Sequence, residues 1–316
     1  MIVNVKVQVV GSDTTVALPQ QQTIMLHEAA EAHLQRIADN KSASTRSNYI
    51  TALRSFNDYL GHDINLNEIT AEVMGGYERW LRQRGLCMNT TSCYMRSLRS
   101  LLIACGIPQK EVFHSVFTGN TKTIKRSVPT EVIARLRAMQ LKPGSFLQLA
   151  RNVFLFSFYA MGMPFVDVAH LKWSQVGNET IVYHRQKTGQ RIVVALEPAI
   201  LQIIDLYRNH TGDYVFPLLS SGGEKEYQTV LGHYNRALHR LEHLLQLDVK
   251  LTSYVVRHSW ASTAYKLNVE LPIISKALGH TNSNTTLTYI REIDDNTLAQ
   301  ANRMIIGIVD TTNRKA

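Results

Sequence analysis

The chain has 316 residues, 45% hydrophobic and 19% charged, enough apolar material for about two domains of ordinary size. That balance excludes a disordered polar tail, a disulfide-stapled mini-domain and a collagen-like fibre. The net charge of +9 favours a polyanionic partner, nucleic acid or an acidic membrane surface, without bearing on fold. Cys87, Cys93 and Cys105 lie in one short stretch without a CxxC pair and read as reduced thiols of a cytoplasmic protein. Residues 1–10 carry no charged-then-apolar leader, and the charge-free stretch 153–166 is shorter than the ~20 residues of a membrane span. A soluble, cytoplasmic protein with no membrane partner is expected.

Residues 1–22 form an N-terminal extension in which Val3, Val5, Val7 and Val9 alternate before a Gly11-Ser12-Asp13 turn, the pattern of a short hairpin. From 23 to 105 the period becomes helical. Leu26, Ala30 and Leu34 make one stripe, Tyr49, Leu53 and Phe56 a second, and Val73, Tyr77, Trp80 and Leu81 a third. A fourth starts at an Asn89 cap and carries Tyr94, Leu98 and Leu101. Thr45-x3-Tyr49-x3-Leu53-Arg54-Ser55 echoes Thr90-x3-Tyr94-x3-Leu98-Arg99-Ser100. The echo is either chance likeness between amphipathic helices or a repeated phosphate seat. In the second reading, hydroxyls and N–H groups at Thr45, Thr90 and Thr91, with Arg46 and Arg96 on the same helices, face a nucleic-acid backbone.

Residues 106–129 are expected to be a linker. Its basic run, with Lys122, Lys125 and Arg126, is either solvated or a second backbone contact. A second domain, 130–300, follows. Helices are expected near Thr130, over 146–159 up to a Gly162-Met163-Pro164 break, and over 165–171. Runs 180–184 and 191–196 bracket Lys187-Thr188-Gly189-Gln190 as a hairpin, and helices resume over 197–209, 228–247, 253–267 and 271–278. The tail 301–316 is apolar enough to dock on a neighbouring copy.

The chemistry gathers near the carboxyl end. Arg257 lies on a helix, and Gly279 has the type that ends a helix in a left-handed conformation, so His280 follows on a fixed turn. Tyr289 comes nine residues later, after a polar, turn-forming stretch. A guanidinium binds two phosphate oxygens in a planar fork and keeps its charge. A nearby imidazole can donate to the same phosphate, and a phenol can attack phosphorus and hold it as an ester.

Arg257, Leu278-Gly279-His280 and Tyr289 at this spacing resemble the tyrosine recombinases, the phage-integrase family. The resemblance runs from residue 23 almost to the end, with Lys187 matching the family's β-turn lysine and Tyr214-Val215-Phe216-Pro217 its Phe-Pro strand. It implies a mainly α, two-domain fold of the DNA breaking-rejoining type. A helical SAM-like core-binding domain precedes a mostly helical α+β catalytic domain with a small antiparallel sheet. It also implies site-specific DNA recombination through a 3′-phosphotyrosine, needing no cofactor or metal. Tyr289 is then the nucleophile, Arg257 and His280 hold the phosphate, and Lys187 is the general acid. The implied partners are double-stranded DNA, a homotetramer on paired sites and accessory DNA-bending proteins. With only about 22 residues before the helical module, an invertase-like enzyme is favoured over an accessory-dependent integrase.

Two departures resemble a mobile-element subgroup. Tyr254 stands where the family has a histidine, so its role shifts towards positioning. The first arginine is missing from Gly162-Met163-Pro164, although Asp167 matches the acidic residue expected after it. Arg151 is the nearest upstream substitute.

Other readings are a non-catalytic DNA-binding recombination factor and a type IB topoisomerase. A third is a zinc hydrolase built on His239-Arg-Leu-Glu242-His243, which spells the inverted zinc-protease motif but lacks an evident third ligand.

Overall fold

The computed structural model describes residues 24–38, 42–121, 127–280 and 286–287. The hairpin expected before residue 19, the basic run 122–126, Tyr289 and the tail 301–316 lie outside them. The chain divides into two units, with the boundary between residues 122 and 123.

The first unit is helical: α1 (Leu26–Arg36), α2 (Ala43–Leu60), α3 (Ala71–Gln83), α4 (Met88–Ala104) and the single turn α5 (Gln109–Val112). Ser42 caps α2 by accepting from the Thr45 N–H at 3.2 Å, and Thr70 caps α3. The stripes read from the sequence meet in one core, with Leu26, Phe56, Tyr77, Leu81, Leu98 and Leu101 all buried. The echoed helices α2 and α4 are packing partners, joined by a Tyr49–Ser100 hydroxyl hydrogen bond of 2.7 Å.

Two expectations are corrected here. Helix α4 begins at Met88 after a Cys87 cap, and Asn89 does not cap it. Its amide instead clasps Thr121, donating to the Thr121 carbonyl at 3.0 Å and accepting from its N–H at 2.8 Å. Residues 106–121 are likewise no free linker. Val112, Phe113 and Val116 are buried in the helical core, and the Phe117 N–H donates to Glu78 at 3.2 Å. The apolar residues of this stretch are too few to show a period, so its Gly and Pro signals dominated the sequence reading.

The second unit contains α6 (Thr130–Ala138), α7 (Phe146–Tyr159), α8 (Phe165–Ala169), β1 (Thr180–His184) and β2 (Arg191–Ala195). It continues with α9 (Pro198–Ile204), α10 (Glu224–Leu244), α11 (Val255–Lys266) and α12 (Leu271–Ala277). Helix α7 is the axis of this unit, because an almost unbroken run from Leu149 to Ser157 is buried and α6, α9, α10 and α11 pack around it. Strands β1 and β2 pair antiparallel, Thr180 opposite Ala195 and His184 opposite Arg191. Ile181, Tyr183, Ile192 and Val194 face the core, as a period of two requires. The Tyr214–Pro217 segment makes only an isolated bridge to Lys172, with Phe216 packed edge-on against Phe156.

Because Phe113 belongs to the helical core, Phe113→Ala is expected to destabilise that unit by about 3 kcal/mol. Urea unfolding, with hydrogen exchange read at α4, measures it. A free linker would give a change near zero.

Candidate active site

The site is assembled from three chain reversals. The first ends α7, where Met161 and Gly162 are both left-handed, with φ of 58° and 69°. The Ser157 hydroxyl donates to the Met163 carbonyl at 2.5 Å and holds the reversal closed. A Cβ on Gly162 would stand 3.1 Å from the Arg257 Cα, so the glycine permits a close approach to α11. The second reversal is the β1–β2 turn, closed by the Gly189 N–H donating to the Arg185 carbonyl at 2.8 Å. The third ends α12 at Gly279, φ 63°, and the His280 N–H donates back to the Ser275 carbonyl at 3.0 Å.

These reversals meet around Arg257, in the first turn of α11 and only 2% exposed. Its Nη1 donates to the Gly162 carbonyl at 3.0 Å, and its Nη2 donates to the Leu278 carbonyl. The same Nη2 lies 3.1 Å from His280 Nε2, which makes that nitrogen the acceptor. The proton of a neutral ring then sits on Nδ1, 2.9 Å from the Thr286 hydroxyl. Burial, reinforced by Arg257, Arg185 and Lys187, lowers the His280 pKa to about 4. At neutral pH the imidazole is uncharged and oriented on both sides.

A second buried arginine shares the site. Arg185, 8% exposed, donates from Nη1 to the Leu278 carbonyl at 2.7 Å and to the Gly279 carbonyl at 3.2 Å. Its Nε lies 3.5 Å from Oδ2 of Asp167. The other carboxylate oxygen of Asp167 accepts from the Gln186 N–H at 2.8 Å. Burial pushes the Asp167 carboxyl up, while the Gln186 N–H and both arginines pull it back down.

The residues chosen from the sequence separate clearly. Arg257 and His280 are in contact, and Lys187 is exposed at the hairpin tip, its charge felt by His280. Tyr254 precedes α11 half exposed, its ring 5.3 Å from that of His258. Arg151 is turned towards α6. Its Nη1 donates to the Arg137 and Met139 carbonyls at 3.2 and 3.0 Å and its Nε to Asn152 at 2.8 Å, capping the end of α6. Arg185 escaped the sequence reading, yet a signal was there. It continues the inward-facing Ile181, Tyr183 register, where a charged residue is out of place.

In the helical unit, Thr45 hydrogen-bonds Ser42 through its hydroxyl, and Arg46 is half-buried in the same turn. The Thr90 hydroxyl contacts the Cys87 thiol at 3.2 Å. Thr91 and Arg96 are engaged within the fold. Thr91 is buried, and Arg96 donates from Nη1 to Ser92, Gly119 and Asn120 within 3.0 Å, tying down the 118–120 segment. Lys122, Lys125 and Arg126 lie outside the described residues. Glu242 of the His-x-x-Glu-His run accepts from the Leu251 N–H at 2.8 Å and lies 3.0 Å from His239, so its carboxylate braces the end of α10. Among the described residues no group of three or more His, Cys, Asp or Glu side chains is placed to hold a metal.

A helical module followed by a catalytic unit whose arginine and histidine meet at a Leu-Gly-His turn defines a recognisable class. The phage integrase family pattern matches residues 128–295, and the phage integrase SAM-like domain matches 25–104. This chain belongs to the phage integrase family, the tyrosine recombinases. It is 23% identical over 290 residues to tyrosine recombinase XerC of Roseiflexus castenholzii, covering 84% of this chain and 88% of the relative. XerC of Rickettsia africae is 23% identical over 272 residues, covering 82% and 88%. Among solved structures, a lambda integrase dimer bound to a core site superposes with a TM-score of 0.66 at 17% identity, covering 86% of this chain and 99% of that one. The Tn1549 transposon integrase in complex with transposon right end DNA gives 0.66 at 12%, covering 89% and 100%.

Three measurements check this geometry. The His280 imidazole is expected to titrate near pH 4 in NMR, against ~6.5 for a free histidine. A folded pKa below the unfolded one means its stabilisation is complete above ~6.5 and is lost as pH falls towards 4. His280→Asn should therefore flatten the stability slope in that window. Gly279→Ala places a Cβ 2.7 Å from Arg185 Cδ and 2.9 Å from Ile192 in a left-handed backbone, so it should cost about 1–2 kcal/mol and displace His280. An unchanged melting temperature would contradict it.

Proposed function

We propose that this chain is a site-specific DNA recombinase that cuts and rejoins DNA through a 3′-phosphotyrosine formed by Tyr289. The reading rests above all on Arg257 and His280 meeting at the end of α12, nine residues before that tyrosine, in a chain of this family. The tyrosine oxygen forms a bond to phosphorus as the bond to the 5′ oxygen breaks. The departing oxygen takes a proton from Lys187, whose exposed place at the hairpin tip suits a group that meets DNA only on binding. One ester replaces another, so the reverse step reseals the strand with no outside energy source.

Arg257 answers the charge that builds on the phosphate, and its fork is already aimed by two carbonyls. His280, uncharged, is held to accept from Arg257 and can turn its polar edge to a phosphate oxygen. Tyr254, exposed at the start of α11, takes a positioning role in place of the family's histidine. The partners are double-stranded DNA and further copies of the chain, four protomers on two sites, acting in the cytoplasm. Membership of the tyrosine recombinase family supports site-specific recombination; integration or inversion as the outcome, and kinship with mobile-element members that lack the first arginine and histidine, are part of the same proposal.

The test is a nicked suicide duplex built from the DNA that flanks the gene. Wild-type protein should form a covalent adduct that Tyr289→Phe abolishes and Lys187→Ala slows by about 10²–10⁴-fold. Binding that persists without any adduct would instead identify a non-catalytic recombination factor.

A further inference from the structure

We propose that Arg185 is the second phosphate-binding guanidinium of this site, supplying from the β-hairpin the cation that Gly162-Met163-Pro164 does not carry. This rests on the recombinase reading above. Burying an arginine on the inner face of a strand is costly unless its charge is matched, and here the match is incomplete. Arg185 Nε and Asp167 Oδ2 are both buried without a hydrogen bond, 3.5 Å apart. Among the described residues the Nη2 of Arg185 makes no hydrogen bond, its Nη1 taking both carbonyls.

The Leu278 carbonyl receives a donor from Arg185 and another from Arg257, so two like-charged forks are held side by side. Both act on His280, as does Lys187. Arg257, Arg185 and Lys187 all act on the uncharged His280, and the Asp167 carboxyl stands beside Arg185, where burial pushes its pKa up. This gathering of cations suits a phosphodiester whose single negative charge approaches two in the pentavalent transition state. The Gly162 turn contributes only a carbonyl, taken up by Arg257. Arg151 is committed to α6. Arg185 is therefore the described arginine that shares an anchor with Arg257.

If Arg185 meets the phosphate charge, its value disappears when that charge is removed. The probe is the suicide duplex with either an ordinary phosphate or a neutral methylphosphonate at the scissile position. Arg185→Gln should cleave the phosphodiester about 10²–10³-fold more slowly than wild type, with duplex binding little changed. On the methylphosphonate its deficit should shrink to under ~10-fold, since the resting negative charge is gone and only the charge that develops in the transition state remains to be stabilised. A purely structural arginine would leave the same deficit on both substrates. Should Arg185→Gln not fold, Arg185→Lys keeps the charge but loses the fork, and should be impaired on phosphodiester with relief on methylphosphonate. An equal deficit on both substrates, or wild-type rates, would overturn the assignment of Arg185 alone. No Tyr289-dependent adduct with wild-type protein would overturn the recombinase reading itself.

Discussion

The site depends on the carbonyl end of one short helix. The last carbonyls of α12 have no partner within the helix, and the backbone dipoles leave that end negative. Arg257 from α11 and Arg185 from the hairpin both donate to the Leu278 carbonyl. Backbone dipoles fix guanidinium planes without cancelling their charge, which carboxylates in the same place would do. The cations are thus oriented yet still available to an anion.

The rest of the second unit serves that convergence. Helix α7, buried along most of its length, sets where the Met161–Gly162 reversal falls, and the Gly162 carbonyl then fixes one arm of Arg257. The β-hairpin places Arg185 inward and Lys187 outward two residues apart, a division of labour between a held cation and an exposed proton donor. His280 is kept neutral by burial first and by the cations around it second, and its Nε2 accepts from Arg257. Arg257 thus contributes to both the neutrality and the orientation.

Much of this was legible in the sequence where a local rule decided the structure. The hairpin strands fall at 180–184 and 191–195, where alternation around Thr188-Gly189 put them to within a residue, and α12 stops just before Gly279. What was not legible depended on contacts distant in the chain. Asn89 had the right type for a cap but is spent on Thr121, and Arg96 looked free for phosphate but holds 118–120. Arg151 was favoured by nearness in sequence to the missing arginine. Arg185 lies farther along the chain, yet the fold brings it to the Leu278 carbonyl. Sequence distance is a poor measure where three reversals converge.

The anchoring of both guanidiniums through main-chain oxygen has a consequence for how the segment tolerates change. Exposed positions of α12 such as Ile273 and Lys276 contribute nothing to that anchor and are open to substitution. Its length is another matter. Inserting or deleting one residue would swing the terminal carbonyl by about 100° around the axis and strand both arginines. Drift in this stretch is constrained in spacing far more than in chemistry.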